Sequence, residues 1–261
     1  MPYIQRNGLE YFQFESFDRS KVNHGIFTRK GGVSPTPWVS LNLGGTVGDE
    51  RANVVENRRR IYEAMERSVE SIFDVWQVHS ADVICTSHPR PLEAAHEKGD
   101  AILTDNPEVT LFMRFADCVP VLLHDPVRQV IGVVHAGWQG TVKKVVRHAV
   151  EKMMDQYGSH SDDIIAGIGP SIGPDHYQIG TDVLEQVQTS FGKRADEILI
   201  NTNERMHLDL WKANAILLEE AQVGSVAIAG ICTACDLGRW YSHRAEHGKT
   251  GRFGAFLALS S

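Results

Sequence analysis

The sequence predicts an α+β fold: a single mixed-sheet domain over residues 1–261, flanked by helices. Three observations support this. Apolar runs of strand length come in clusters, as in VTLFMRF (109–115), CVPVLLH (118–124) and QVIGVVH (129–135). Amphipathic helical stretches are present, but they do not alternate with strands as a doubly wound parallel sheet requires. No linker, internal repeat or low-complexity tract divides the chain.

Taken in order, residues 29–49, RKGGVSPTPWVSLNLGGTVGD, hold five glycines and two prolines and predict a long loop. Loops of that length inside compact domains are often functional. A helix follows, with Asp49 as its cap and Val54, Val55, Ile61, Tyr62 and Met65 at helical spacing. IFDVWQVHS predicts a strand ending at His79, and DVICTS another. HPRPLEAAHEKGD (88–100) is polar and is expected on the surface, with His88 and His96, like His148 and His160 further on, read as solvated. DAILTD and VTLFMRF predict strands. After the 118–135 hairpin, Val142, Val145, Val146, Ala149, Val150, Met153 and Met154 form one helical stripe that Gly158 ends. DDIIAGIG predicts a strand running into the loop PSIGPDHYQIG. GIGPSIG resembles a phosphate loop only loosely, since no helix opens from it, and is read as a turn walling the pocket. A short helix is expected over 181–191 and an amphipathic one from Asp209 to Gln222. VAIAGI and RFGAFLALS complete the strands.

Composition narrows the function. Hydrophobic residues make up 42% and charged residues 23%, as in an ordinary globular protein, and the formal net charge is −7. No basic cluster suited to a phosphate backbone stands out, so nucleic acid is not the expected partner. No apolar run reaches the roughly 18 residues of a membrane span. The first residues, MPYIQRNGLEYFQFE, do not read as a secretion signal. Four cysteines, Cys85, Cys118, Cys232 and Cys235, form no disulfide framework in a chain of 261 residues, and a reducing cytoplasm is the expected location. Cys232-Thr-Ala-Cys235 has no second pair and is read as structural or incidental.

The hairpin carries the first chemical signal. A four-residue turn at Asp125–Arg128 pairs His124 with Gln129 and, in the same register, Cys118 with His135. Directly opposed residues have Cβ atoms about 4.5–5.5 Å apart, close enough for a shared metal or a thiol–imidazole pair. His124 lies six residues along the strand from Cys118, roughly 20 Å at about 3.3 Å per residue, and cannot share that site. Pro120 is unwelcome in a central strand and could leave Cys118 on a loop before it. Taken alone, the pair is also compatible with an inert buried thiol beside a hydrogen-bonded imidazole. Gly137-Trp-Gln-Gly140-Thr141 then turns into the helix, where free N–H groups favour anions.

HGIFTRKGGVS (24–34), SLNLG (40–44), Gly48-Asp49, Asn57-Arg58, QVHSADV (77–83), DAILTD (100–105), ADCVPVLL (116–123), HAGWQGT (135–141), GPSIG (169–173), HLDLW (207–211) and YSHR…GKTGR (241–252) together resemble one family, in order and over nearly the whole chain. It is the family of bacterial laccase-domain proteins, also called multicopper polyphenol oxidase or purine nucleoside phosphorylase proteins. The resemblance implies three metal ligands: His79 of QVH, Cys118 of ADC and His135 of HAGW. It also implies an α/β or α+β domain related to a cysteine-hydrolase-like superfamily. Trp240, His243 and Tyr177 depart from the family pattern, which bears on pocket details and not on the ligands.

Three ligands leave a tetrahedral zinc ion one open position, whereas closed structural sites have four. The implied chemistry is zinc-dependent phosphorolysis of adenosine, inosine, guanosine or methylthioadenosine, with adenosine deamination by zinc-activated water as a companion activity. Purine nucleoside and phosphate are the implied partners, for a monomer or weak homodimer. Candidate phosphate contacts are Arg29, Asn42, Arg58 and Arg244, each of a type that more often braces a loop. Two other readings stay open. Cys118 and His135 could be the nucleophile and base of a hydrolase or amidase acting on peptidoglycan precursors. A copper-dependent polyphenol oxidase is the other, although 12 histidines without one His-x-His pair suit a multicopper centre poorly and copper is expected only as an in vitro occupant.

Overall fold

The structure is a computed structural model that describes residues 3–18 and 20–260. Met1, Pro2, Arg19 and Ser261 lie outside the described residues, including both ends of the expected 1–261 domain. Along the chain the strands are β1 (Tyr3–Arg6), β2 (Leu9–Phe12), β3 (Val22–Phe27), β4 (Ile72–Phe73), β5 (Val83–Cys85), β6 (Ala101–Thr104), β7 (Thr110–Phe115), β8 (Val119–Asp125), β9 (Val130–Ala136), β10 (Ile165–Ile168), β11 (Leu199–Thr202), β12 (Arg205–Leu208), β13 (Ser225–Ile228) and β14 (Phe253–Leu259). The α-helices are α1 (Arg51–Ala64), α2 (Trp138–Val142), α3 (Val145–Tyr157), α4 (Thr181–Phe191) and α5 (Leu210–Glu220).

Two six-stranded sheets form, in the orders β1-β2-β3-β14-β7-β4 and β13-β10-β8-β9-β6-β5, and β11 pairs with β12. Both large sheets are mixed: β4–β7, β10–β13 and β5–β6 pair parallel and the other neighbours antiparallel. The α+β expectation is met, and the physical reason is period-2 patterning with apolar residues on both faces. In β8, Val119, Val121 and Leu123 face α3 and α5, while Leu122 faces the other sheet. Ile26, Met113, Phe115 and Phe253 meet Leu122, Ile131 and Val133 between the sheets. Helix α1 covers the outer face of the first sheet through Ile61, Tyr62 and Met65, against Tyr11, Phe112 and Phe256. The result is four layers, helix–sheet–sheet–helices.

Several expectations are corrected. The hairpin turn is Pro126–Gln129, with Asp125 opposite Val130, and Gln129 adopts a left-handed φ of 56°. His135 therefore faces Pro120, not Cys118. Cys118 sits just before β8, diagonal to His135. The shift is two residues, so the pleat still turns both to the same face; a slip of one would have separated them. Pro120 is tolerated because its carbonyl accepts from Gly169 N beyond the last residue of β10, so its missing N–H falls at the end of that ladder. The strand expected to end at His79 stops at Phe73, and residues 74–82 are irregular. Glu50 rather than Asp49 is the N-cap of α1; Asp49 instead accepts from Ser34, Asn42 and Asn53. The stripe from Val142 is two helices broken by Lys144 in the left-handed region, φ 62°, and Met154 is exposed. His96 is not solvated but half-buried against Asp74. Helix α4 matches its predicted span, and Asp209 caps α5 by accepting from Lys212 N. Among the described residues, no helix is long and apolar enough to cross a membrane.

Candidate metal centre

The rim between the two sheets brings together His79, Cys118 and His135, whose ligand atoms all lie within 4.8 Å of one another. Each arrives differently. His135 is the penultimate residue of β9, and its side chain points between the sheets beside Phe115, ring centroids 5.4 Å apart. Cys118 follows Asp117, whose φ of 82° turns the chain into β8. His79 lies in the irregular segment after β4, itself left-handed at φ 58°, with its ring 4.9 Å from that of His135. Non-glycine residues in that region are uncommon and concentrate at functional sites. Cys118 Sγ is 3.9 Å from His79 Nε2.

Asp100 organises the group. Its Oδ1 lies 2.8 Å from His135 Nδ1, while Oδ2 accepts from Val78 N, Ser80 N and Ser80 Oγ. One carboxylate thus fixes the His135 ring and straps down the turn that presents His79. Burial pushes the Asp100 carboxyl up, but the His135 contact and the backbone N–H donors outweigh it and bring it to about 2. With Nδ1–H committed to Asp100, His135 offers Nε2 to the site. This is the carboxylate–histidine arrangement that orients metal ligands. Burial disfavours charge on both Cys118 and His135, yet each favours the other's charged form, so the thiol is lowered and the imidazole raised. Gly137 closes the floor: a Cβ there would stand 2.8 Å from Cys118 Sγ and 3.1 Å from His79 Cδ2.

In front of the ligands is a cavity of about 240 Å³, lined by His79, Cys118, Gly137, Trp138, Ile172, Tyr177 and Leu210, with Asp117 and Gln139 as further polar groups. GIGPSIG walls it through Ile172, as the sequence suggested. The Asp117 carboxylate accepts from Thr233 Oγ1 at 2.7 Å and Arg244 N at 2.6 Å.

Of the four expected phosphate contacts, Arg244 touches residues that line this cavity: its guanidinium lies 5.0 Å over the Tyr177 ring and donates to Gln178 O, and its backbone N donates to Asp117. Arg29 donates to Val39 O and Leu237 O, pairs with Glu246 and stacks on Tyr241, so it braces the 29–49 loop. Asn42 is fully buried, bonded to Asp49, Gly44 and the Arg252 N–H. Arg58 belongs to a buried ionic cluster around Asp74 with Arg90, His96 and Arg114. Arg252, the last residue of the GKTGR motif, lies near enough to Cys118 and Asp117 to feel their charges. Asp100 was also missed, although it opens DAILTD; a carboxylate at a strand start has no chemical signature until the fold sets it beside His135.

A family model described as "Multi-copper polyphenol oxidoreductase laccase" matches residues 23–260. A purine nucleoside phosphorylase of Deinococcus radiodurans is 38% identical over 239 residues, covering 91% of this chain and 89% of that protein. Purine nucleoside phosphorylase YlmD of Bacillus subtilis is 35% identical over 251 residues, 93% of this chain and 90% of that one. The crystal structure of YlmD from Geobacillus stearothermophilus superposes with a TM-score of 0.92 at 31% identity, covering 100% of this chain and 99% of that one. With the match running from β3 through β14, and relatives of this similarity along the whole length, the chain belongs to the multi-copper polyphenol oxidoreductase laccase family.

Proposed function

We propose that the protein is a purine nucleoside phosphorylase built around a zinc ion held by His79, Cys118 and His135. The observation that carries the reading is the convergence of two imidazoles and a thiol within 4.8 Å of one another, His79 and Cys118 lining the cavity and Asp100 leaving His135 Nε2 toward the group. The donor set suits zinc: soft sulfur, borderline nitrogen and a fourth position facing the cavity. When bound, such an ion supplies a Lewis-acidic positive charge.

The chain's own residues would do the remainder. Trp138, Ile172, Tyr177 and Leu210 present apolar and aromatic surface for a purine, and Gln139 a polar contact. Arg244, over the Tyr177 ring, and Arg252, near Asp117 and Cys118, are the proposed phosphate contacts, whereas Arg29, Asn42 and Arg58 are held in the loop and the Asp74 cluster. Phosphorolysis would break the bond between ribose C1′ and the base nitrogen, join phosphate oxygen to C1′, and return a proton to the base. Adenosine, inosine, guanosine and methylthioadenosine are the proposed substrates, with deamination of adenosine a side activity.

Incubation of zinc-loaded protein with adenosine and phosphate tests this, with ribose 1-phosphate and adenine as the expected products. Inosine would point to deamination. The lowered Cys118 thiol beside His135 supports one second reading, a Cys–His hydrolase. Chelation separates the two: activity that survives complete metal removal would sink the zinc reading.

A further inference from the structure

Outside that centre, a second group of metal-binding side chains forms where two loops meet. Asp175 and His176 come from the loop after β10, and Cys232 and Cys235 from the segment after β13. One ligand atom from each lies within 4.8 Å of the others. Both thiols are free.

The spacings match one coordination geometry. Zinc binds sulfur at about 2.3 Å and nitrogen or oxygen at about 2.0–2.2 Å, so a tetrahedron around it has S···N and S···O edges of about 3.6 Å and N···O edges of about 3.4 Å. Here Cys232 Sγ and Cys235 Sγ stand 3.7 and 3.6 Å from His176 Nδ1. Cys235 Sγ is 3.8 Å from Asp175 Oδ2, and His176 Nδ1 is 3.2 Å from the same oxygen. Every one of these edges is within about 0.2 Å of the ideal.

The backbone is prepared for it as well. Cys235 N donates to Cys232 O, the tight turn that aims both sulfurs the same way. Gly173 N donates to Cys232 Sγ at 3.1 Å, which fixes where that sulfur points. Ser171 pairs with Cys232 as a parallel bridge, with Ser171 N donating to Ile231 O and Thr233 N to Ser171 O. Gly173 permits this approach: a Cβ there would meet Asp175 Oδ1 at 2.8 Å and Cys232 Cβ at 3.1 Å.

We propose that Asp175, His176, Cys232 and Cys235 form a second, structural zinc site that clamps the 170–177 loop to the 231–236 segment. Four protein ligands close the coordination sphere, as structural sites require, in contrast to the three at His79. Binding releases the two thiol protons to solvent and leaves two thiolates, a carboxylate and a neutral imidazole around the ion. The clamp bears on the first site. The 170–177 loop carries Ile172 and Tyr177 of the cavity wall, and Thr233, inside the Cys-x-x-Cys, bonds the Asp117 carboxylate next to Cys118. It does not depend on the reaction proposed for the cavity.

The test is a zinc count on full-length protein, purified under reducing conditions, stripped and titrated with Zn²⁺ against a chromogenic chelator. Wild type is expected to bind two ions per chain, Cys118→Ser one, and the double variant Cys232→Ser/Cys235→Ser one. In the Cys118→Ser background, zinc is expected to slow alkylation of Cys232 and Cys235 at least tenfold, read by mass spectrometry, a measurement that stands even if the double variant fails to fold. One ion per chain in wild type and none in Cys118→Ser would overturn the proposal. So would alkylation at equal rates with and without zinc, or a Cys232–Cys235 disulfide in the reduced preparation.

Discussion

Gly137→Ala separates the needs of the metal centre from those of the fold. Gly137 has φ −72° and ψ 174°, a conformation open to any residue, so alanine costs the backbone nothing. It should even gain about 0.4–1 kcal/mol by restricting the unfolded chain. The cost is local. The new Cβ would stand 2.8 Å from Cys118 Sγ, and an ordinary contact begins at 3.4 Å. The sulfur must therefore retreat by about 0.6 Å, and His79 Cδ2, at 3.1 Å, by about 0.3 Å. Rotating a thiol that far is easy for the fold, but it is about three times the ~0.2 Å tolerance of a metal–ligand distance. The expected result is an apo melting temperature within about 3 °C of wild type. Zinc affinity at this centre should fall about ten- to a hundredfold, about 1.4–2.8 kcal/mol. Differential scanning fluorimetry of apo protein and zinc competition in the Cys232→Ser/Cys235→Ser background give the two numbers. Zinc binding within threefold of the parent would refute the assignment of Cys118 and His79 as joint ligands. An apo protein destabilised by more than 10 °C would refute the claim that the crowding is confined to the site.

Two further outcomes follow from the same geometry. Asp100→Asn cannot satisfy both of its sides: either an NH₂ faces Val78 N and Ser80 N, or it faces His135 Nδ1 and moves the ring proton onto Nε2, the ligand atom. We expect about 1–3 kcal/mol of destabilisation in thermal melts and at least a tenfold loss of zinc affinity; unchanged affinity would remove Asp100 from the centre. His124, fully buried with neither ring nitrogen bonded among the described residues, has its pKa lowered from 6.5 to about 4, by burial and Lys21 against the opposing pull of Asp125 and Asp18. Below pH 6.5 the unfolded chain takes up a proton that the folded one refuses, so stability falls as pH drops from 6.5 toward 4, by up to about 2 kcal/mol at pH 5. His124→Leu should flatten that part of a urea-unfolding pH profile, and an unaltered slope would show that His124 does not titrate with folding.

The balance between sequence and structure can be followed through the hairpin. Period-2 patterning in CVPVLLH and QVIGVVH was sufficient to identify β8 and β9, and parity sufficed to turn Cys118 and His135 to one face. Register was not recoverable, because Asp125 reads equally well as a turn residue or as the last strand residue opposite Val130. Short strands such as β1, β2, β11 and β12 lacked a pattern strong enough to stand out, since four residues carry little periodicity. Arg29 and Asn42 in the glycine-rich loop and Arg58 in the helix after it show the complementary limit: a donor looks the same in sequence whether it braces its surroundings or binds an anion.

By itself the sequence determined the α+β class and the α4 and α5 helices, because periodicity is a local property of the chain, while His79, Cys118 and His135 were singled out by the resemblance of their motifs to one family. Only the tertiary structure decided that Asp100 bridges His135 to the His79 turn, that Gly137 lies hard against Cys118, and that Cys232 and Cys235 face Asp175 and His176. Those contacts join residues 19 to 60 positions apart. No local pattern encodes them; they exist because packing two sheets face to face closes the loops at their rim onto one another.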